Sequence, residues 1–183
     1  MKRWVSVFAA ATAADLIAVS IAVAGTLRVD ATVAPGGASL ALSLPSGATL
    51  ADRLDGTDQG ITYSLPLDVT DVRGSGSGWD LTMTSTTFTT GSRSLAPGSS
   101  TITGVSTACA PGGICTAPAN AISYPLTVPA SPEAPDAAQF FDAPDATGLG
   151  RFTVTPTIAI GIPGNAYAGD YTSVVTVAAV SGP

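Results

Sequence analysis

The sequence predicts an all-β chain: a single antiparallel β-sandwich preceded by an N-terminal hydrophobic signal segment. Three observations carry this. Apolar residues recur at every second position along most of the chain. Glycine and proline, 20 and 14 of the 183 residues, cut the alternating runs into short lengths. No segment after the first 24 residues keeps apolar residues at helical spacing for more than about two turns. Period-2 alternation with threonine and β-branched residues is what a half-buried strand requires.

Residues 1–24 read as an export signal. Lys2 and Arg3 give a positive start, Phe8 to Ala24 is apolar apart from Asp15, and Ala22-Val23-Ala24 offers a small-residue cleavage site before Gly25. Asp15 argues against a stable anchor, because a carboxylate at the centre of a membrane helix costs about 2.5–3.5 kcal/mol. The alternatives are a retained membrane anchor and a wrongly assigned start. Cleavage leaves residues 25–183 as one domain, with five arginines against twelve acids and a net charge of −7.

The strands then follow in order. Leu27, Val29, Ala31 and Val33 alternate with polar residues, and Leu40, Leu42 and Leu44 follow the Pro35-Gly36-Gly37 turn. Ile61, Tyr63, Leu65, Leu67 and Val69 share one face. The same pattern recurs in Trp79-Leu81-Met83, in Ile122-Tyr124-Leu126-Val128, in Phe152 to Ile162, and in Tyr171-Val175-Val177. The best helical candidate is Pro135–Phe141, expected as a short turn inside a long excursion from the sheet over Ala130–Gly150. Cys109 and Cys115 bracket Pro111-Gly112-Gly113, and in an exported chain they are expected to form a disulfide closing a small loop. Two free thiols are the alternative.

Composition excludes several chemistries. The chain has no histidine, and Lys2 is its one lysine, so histidine triads, Schiff-base lysines and phosphate-loop lysines are ruled out. An acidic balance opposes nucleic-acid binding, which needs clustered Lys and Arg. Glu133 is the one glutamate and no motif positions a carboxylate pair, so no enzymatic activity and no cofactor are expected. Two acidic groups, Asp52, Asp55 and Asp58, and Asp136, Asp142 and Asp145, have spacings that could hold Ca²⁺ but match no calcium loop. Plain solubility explains them equally well, so metal binding stays open. Gly74 to Gly78 alternates glycine with serine, lacks a lysine and leads into a strand, which reads as a flexible turn rather than a phosphate cradle.

Two segments, Leu67-Asp68-Val69-Thr70-Asp71-Val72-Arg73-Gly74 through Trp79-Asp80-Leu81-Thr82-Met83-Thr84 and Ala168-Gly169-Asp170-Tyr171-Thr172 through Val177, resemble the WxL-domain family of bacterial surface proteins. The first Trp-x-Leu motif is intact. Val177-Ala178-Ala179 stands where the distal one would be. The resemblance implies a non-enzymatic protein, exported to the cell surface or medium, that associates noncovalently with the cell wall, with peptidoglycan or other surface proteins as partners. It also implies Trp79, Leu81, Arg73 and Tyr171 as binding residues. From the residues themselves, Trp79 is expected in the core, because Leu81 and Met83 continue its apolar face; the alternative exposes its ring to stack on a sugar. No hydrophobic span or basic tail follows the last strand, so retention at a surface is expected to be noncovalent. Self-assembly into a filament or sheath by β-strand addition is the alternative function, with Thr26–Val33 as donor strand.

Overall fold

The computed structural model describes residues 15–23, 28–32, 40–45, 50–133 and 135–182, the first two segments by backbone course alone. The positive start, the Ala24–Gly25 junction and the Pro35-Gly36-Gly37 turn lie outside the described residues. Sixteen strands and no helix make up the described chain. They are β1 (Asp15–Val23), β2 (Arg28–Thr32), β3 (Leu40–Ser43), β4 (Leu50–Asp52), β5 (Gln59–Ser64), β6 (Leu67–Asp71), β7 (Trp79–Thr86) and β8 (Thr89–Thr90). The rest are β9 (Arg93–Ser94), β10 (Ser100–Cys109), β11 (Cys115–Thr116), β12 (Leu126–Thr127), β13 (Ala130–Ser131), β14 (Ala138–Ala143), β15 (Leu149–Ile162) and β16 (Gly169–Ser181).

These strands form two sheets. In one, β7 and β16 are central and antiparallel, joined by β14 and β13 beside β7 and by β1, then β2 and β4, beyond β16. In the other, β15 is central, flanked by β10 and β11 on one side and by β5 and β6 on the other. The alternation read from the sequence is met in β6, β7, β15 and β16. Leu67, Val69 and Asp71 face inward from β6, Trp79, Leu81 and Met83 from β7, and Tyr171, Ser173, Val175 and Val177 from β16. Facing the β7 and β16 residues from the other sheet, which also holds β6, are Ile102 of β10 and Phe152, Val154, Ile158 and Ile160 of β15, and one apolar cluster joins both layers.

Pro156 sits inside the longest strand, although proline cannot donate to a ladder. It falls where β15 changes partners from β6, paired up to Val154, to β5, paired from Thr157. Its carbonyl accepts from the Leu65 N–H on that side at 3.0 Å, so the missing donor costs no regular pair there.

Three expectations need correction. Pro135–Phe141 is not helical: Ala138–Ala143 is strand β14, paired with β7. Burial decides it, since Phe140, Phe141 and Ala143 are buried, and two buried phenylalanines contribute roughly 3–6 kcal/mol, beyond any local helical preference of a few tenths per residue. For the same reason Ala130–Gly150 is no excursion; it supplies β13, β14 and the start of β15. The run from Ile122 to Val128 pairs at Leu126–Thr127 alone. Pro125 has no N–H, and the segment is instead tied by side chains: Asn120 Oδ1 accepts from Ile122 N and Asp142 N, and the Tyr124 hydroxyl donates to Phe140 O at 2.5 Å.

Cys109 and Cys115 form the expected disulfide, with Cα atoms 5.8 Å apart. Both flank β15, Cys109 paired with Phe152 and Cys115 with Gly150. The ladder already holds the two ends together, so the bridge chiefly restrains the loop through Ile114, which is 96% exposed. We predict that reduction leaves the sandwich folded and lowers its stability by about 2–2.5 kcal/mol, the loop-closure value for so short a ring. Urea titrations with and without reductant check this.

Candidate functional site

The turn from β6 into β7 is built around a salt bridge. Asp71 ends β6 with its carboxylate buried, and Arg73 wraps back onto it, Nε to Oδ1 at 2.9 Å and Nη2 to Oδ2 at 3.0 Å. The same guanidinium donates to Gly78 O at 2.5 Å and to the Ser181 hydroxyl at the end of β16. Arg73 therefore clasps the glycine-serine loop against the last strand, with nearly every donor engaged and its side chain only 12% exposed. The Arg73 hydrogen bonds hold the Asp71 carboxyl below the usual carboxylate range.

Beyond the loop, Trp79 enters the core. Its ring stacks on Phe141 of β14, centroids 5.4 Å apart, and tilts against Phe152 of the opposite sheet at 6.2 Å. The indole N–H donates to Gly148 O at 2.8 Å, which satisfies its one polar group in the interior. Two glycines admit this packing. Gly78 has φ +63°, and a Cβ there would stand 2.3 Å from Ala143 O; Gly148 has φ +69°, and a Cβ would stand 2.6 Å from the Trp79 Nε1.

The four residues implied as binding residues are thus interior. Trp79 and Leu81 are fully buried, Tyr171 is 1% exposed, and Arg73 is spent on Asp71, Gly78 and Ser181. The structure brings Arg73, Trp79 and Leu81 together at one end of the sandwich. Tyr171 lies at the far end, since Ser181 of β16, not Tyr171, pairs with Trp79. As folded, Trp79 has no free face for a sugar.

Tyr171 has a different task. Its hydroxyl donates to Tyr167 O at 3.0 Å and fixes the loop before β16. Tyr167 projects outward, 58% exposed, and the Arg93 guanidinium of β9 lies 3.5 Å from its ring centroid. This pair, 74 residues apart in the chain, is an exposed aromatic surface carrying a cation, able to contact a sugar ring and a carboxylate. Nothing in the local sequence around either residue announces it.

The first acidic group serves the backbone. Asp55 Oδ1 accepts from the Thr57 N–H and hydroxyl, which hold the Asp55 carboxyl low, and Asp58 Oδ1 accepts from Gly164 N at 2.8 Å. No three acidic, histidine or cysteine side chains gather among the described residues. Asp142 instead meets Asp80, its direct cross-strand partner between β14 and β7. Desolvation, with the neighbouring Asp142 charge adding to it, pushes the Asp80 carboxyl up, although Gln139 Nε2 donates to it at 2.6 Å.

No family model, curated protein or solved structure matches the chain.

Three substitutions test this assignment. Trp79→Ala should cost roughly 3–5 kcal/mol by lost burial and a cavity, read as a shifted urea midpoint with an unchanged slope. The two aspartates should act oppositely with pH. Asp71 is lowered on folding, so its stabilisation is present above the ordinary carboxylate range and lost as pH falls through its folded value; Asp71→Asn should cost about 1.5–3 kcal/mol at pH 7 and progressively less in acid. Asp80 is raised, so its charge costs stability at pH 7 and the cost vanishes as pH falls through its folded value. Asp80→Asn should gain up to about 1 kcal/mol at pH 7 and nothing in acid.

Proposed function

We propose that the chain is an exported, non-enzymatic surface protein held noncovalently on the cell wall, in the manner of the WxL-domain proteins it resembles. The export pattern of residues 1–24, the disulfide of an oxidising compartment and the intact Trp79-Asp80-Leu81 motif support this reading. The observation that carries it furthest is the Arg93–Tyr167 pair, a cation over an exposed ring at the end of the sandwich remote from Trp79. Tyr167 offers ring surface to a glycan and Arg93 offers charge to the carboxylates of wall peptides. In this reading the Trp-x-Leu motif builds the fold, and Tyr171 positions the contact residue without touching the ligand.

A second reading, assembly of copies into a filament or sheath by strand addition, is favoured by the place of β1. That strand lies within the segment read as the cleaved signal, yet it sits between β16 and β2.

Wall association predicts that the processed protein pellets with isolated peptidoglycan without covalent linkage and releases no soluble fragments from it. A net charge of −7 repels an anionic polymer at long range. Pelleting should therefore increase from 0.1 to 1 M salt, as the screening length falls from about 10 Å to about 3 Å. Tyr167→Ala and Arg93→Ala should each lower the pelleted fraction without altering the melting temperature. Protein that stays in the supernatant at both salt concentrations overturns the reading.

A further inference from the structure

We infer that export opens a strand-wide slot along β16, and that residues Gly25–Val33 of a second copy of this chain fill it. The inference rests on the reading that processing removes residues 1–24, and it deepens the assembly reading by naming both partners. In the full chain β1 runs antiparallel to β16 over nine successive register positions, from Asp15 opposite Val177 to Val23 opposite Gly169. On its other side β1 carries β2, from Leu16 opposite Thr32 to Ser20 opposite Arg28, and β4, from Ile21 to Val23 in parallel. It is an interior strand of the sheet.

Its removal strips one side of β16 from Gly169 to Val177. On the opposite side β16 is paired with β7 from Val175 to Ser181, and with β8 at Thr172. The inward row Tyr171, Ser173, Val175 and Val177, all buried, would then end at an open ladder of unpaired N–H and C=O groups. Such an edge is a template for an added strand, and leaving it dry and unpaired is costly.

The segment newly exposed at the processed terminus matches the vacated positions. Gly25–Val33 has the same length as Asp15–Val23, and displaced by ten residues it repeats the same alternation. Leu27 takes the place of Ile17, Val29 that of Val19, Ala31 that of Ile21 and Val33 that of Val23. Thr26, Arg28, Asp30 and Thr32 take the intervening places, where a polar residue suits the outer face of a sheet. A chain cannot fill its own slot this way by a sideways shift. β2 is antiparallel to β1, and therefore runs parallel to β16, the reverse of the direction β1 takes. A second copy enters in the direction β1 has, and because donor and acceptor surfaces differ, the contact repeats head to tail.

The test uses protein recovered from a secreting host, with the terminus established by intact mass. Sedimentation velocity should show species larger than a monomer that grow with concentration. An excess of the synthetic peptide of residues 25–33 should return them to a monomer carrying one peptide. Val29→Pro, which removes a ladder donor from the inserting strand, should yield a monomer that still takes up that peptide. Protein beginning at Gly25 that stays monomeric at every concentration and takes up no peptide overturns the inference while leaving the export reading intact. A mass that retains residues 1–24 overturns the export reading itself, and the slot with it.

Discussion

The burial of Trp79 is the constraint on which the rest of the structure depends. Its ring spans the interval between the two sheets, touching Phe141 in one and Phe152 in the other, and its N–H is satisfied by Gly148 just before β15. An indole N–H left unpaired in that interior would cost about 1–3 kcal/mol, so the loop carrying Gly148 has to arrive at one place and in one conformation. The glycines at 78 and 148 follow from this demand, because a Cβ at either would collide with the wall of the site. The Asp71–Arg73 fork then closes the end of the sandwich by clasping the loop to Ser181.

This arrangement redistributes the roles that the motif implies. Arg73, Trp79 and Leu81 are consumed in holding the two sheets and their connecting loop, which leaves Trp79 no free ring face and engages nearly every Arg73 donor. An exposed cation and aromatic ring lie elsewhere, at Arg93 and Tyr167. The tie between the two levels is Tyr171, a core residue whose hydroxyl holds the backbone of Tyr167. Damage to the core at Tyr171 would thus reach the exposed pair through one hydrogen bond, without any ligand contact of its own.

Much of the fold was legible because alternation is local. Trp79-Leu81-Met83, Phe152 to Ile162 and Tyr171-Val175-Val177 declared both their strands and their inward faces, and Cys109 and Cys115 declared their loop. The failures share a cause. Pro135–Phe141 was the best helical candidate, but the decision fell to Phe140 and Phe141, whose burial against β7 is a long-range matter. Tyr124 alternated correctly, yet its neighbours' donors went to side chains such as Asn120 instead of a ladder. The Arg93–Tyr167 pair and the opposed Asp80 and Asp142 were invisible for the same reason, since only the register of distant strands places them together. Residues 15–23, read from the sequence as part of an export signal, pair with β16 as strand β1.

The central claim, that Trp79 is a structural keystone and not a ligand platform, is tested most directly by the hydrogen exchange of its own indole. In ¹⁵N-labelled processed protein, where Trp79 is the one tryptophan, the side-chain N–H gives a single assignable resonance. The account predicts exchange as slow as that of the β7 and β15 amides, governed by global unfolding, and no change on adding peptidoglycan fragments. Exchange at the rate of an exposed indole, or a resonance that shifts with wall fragments, would contradict it.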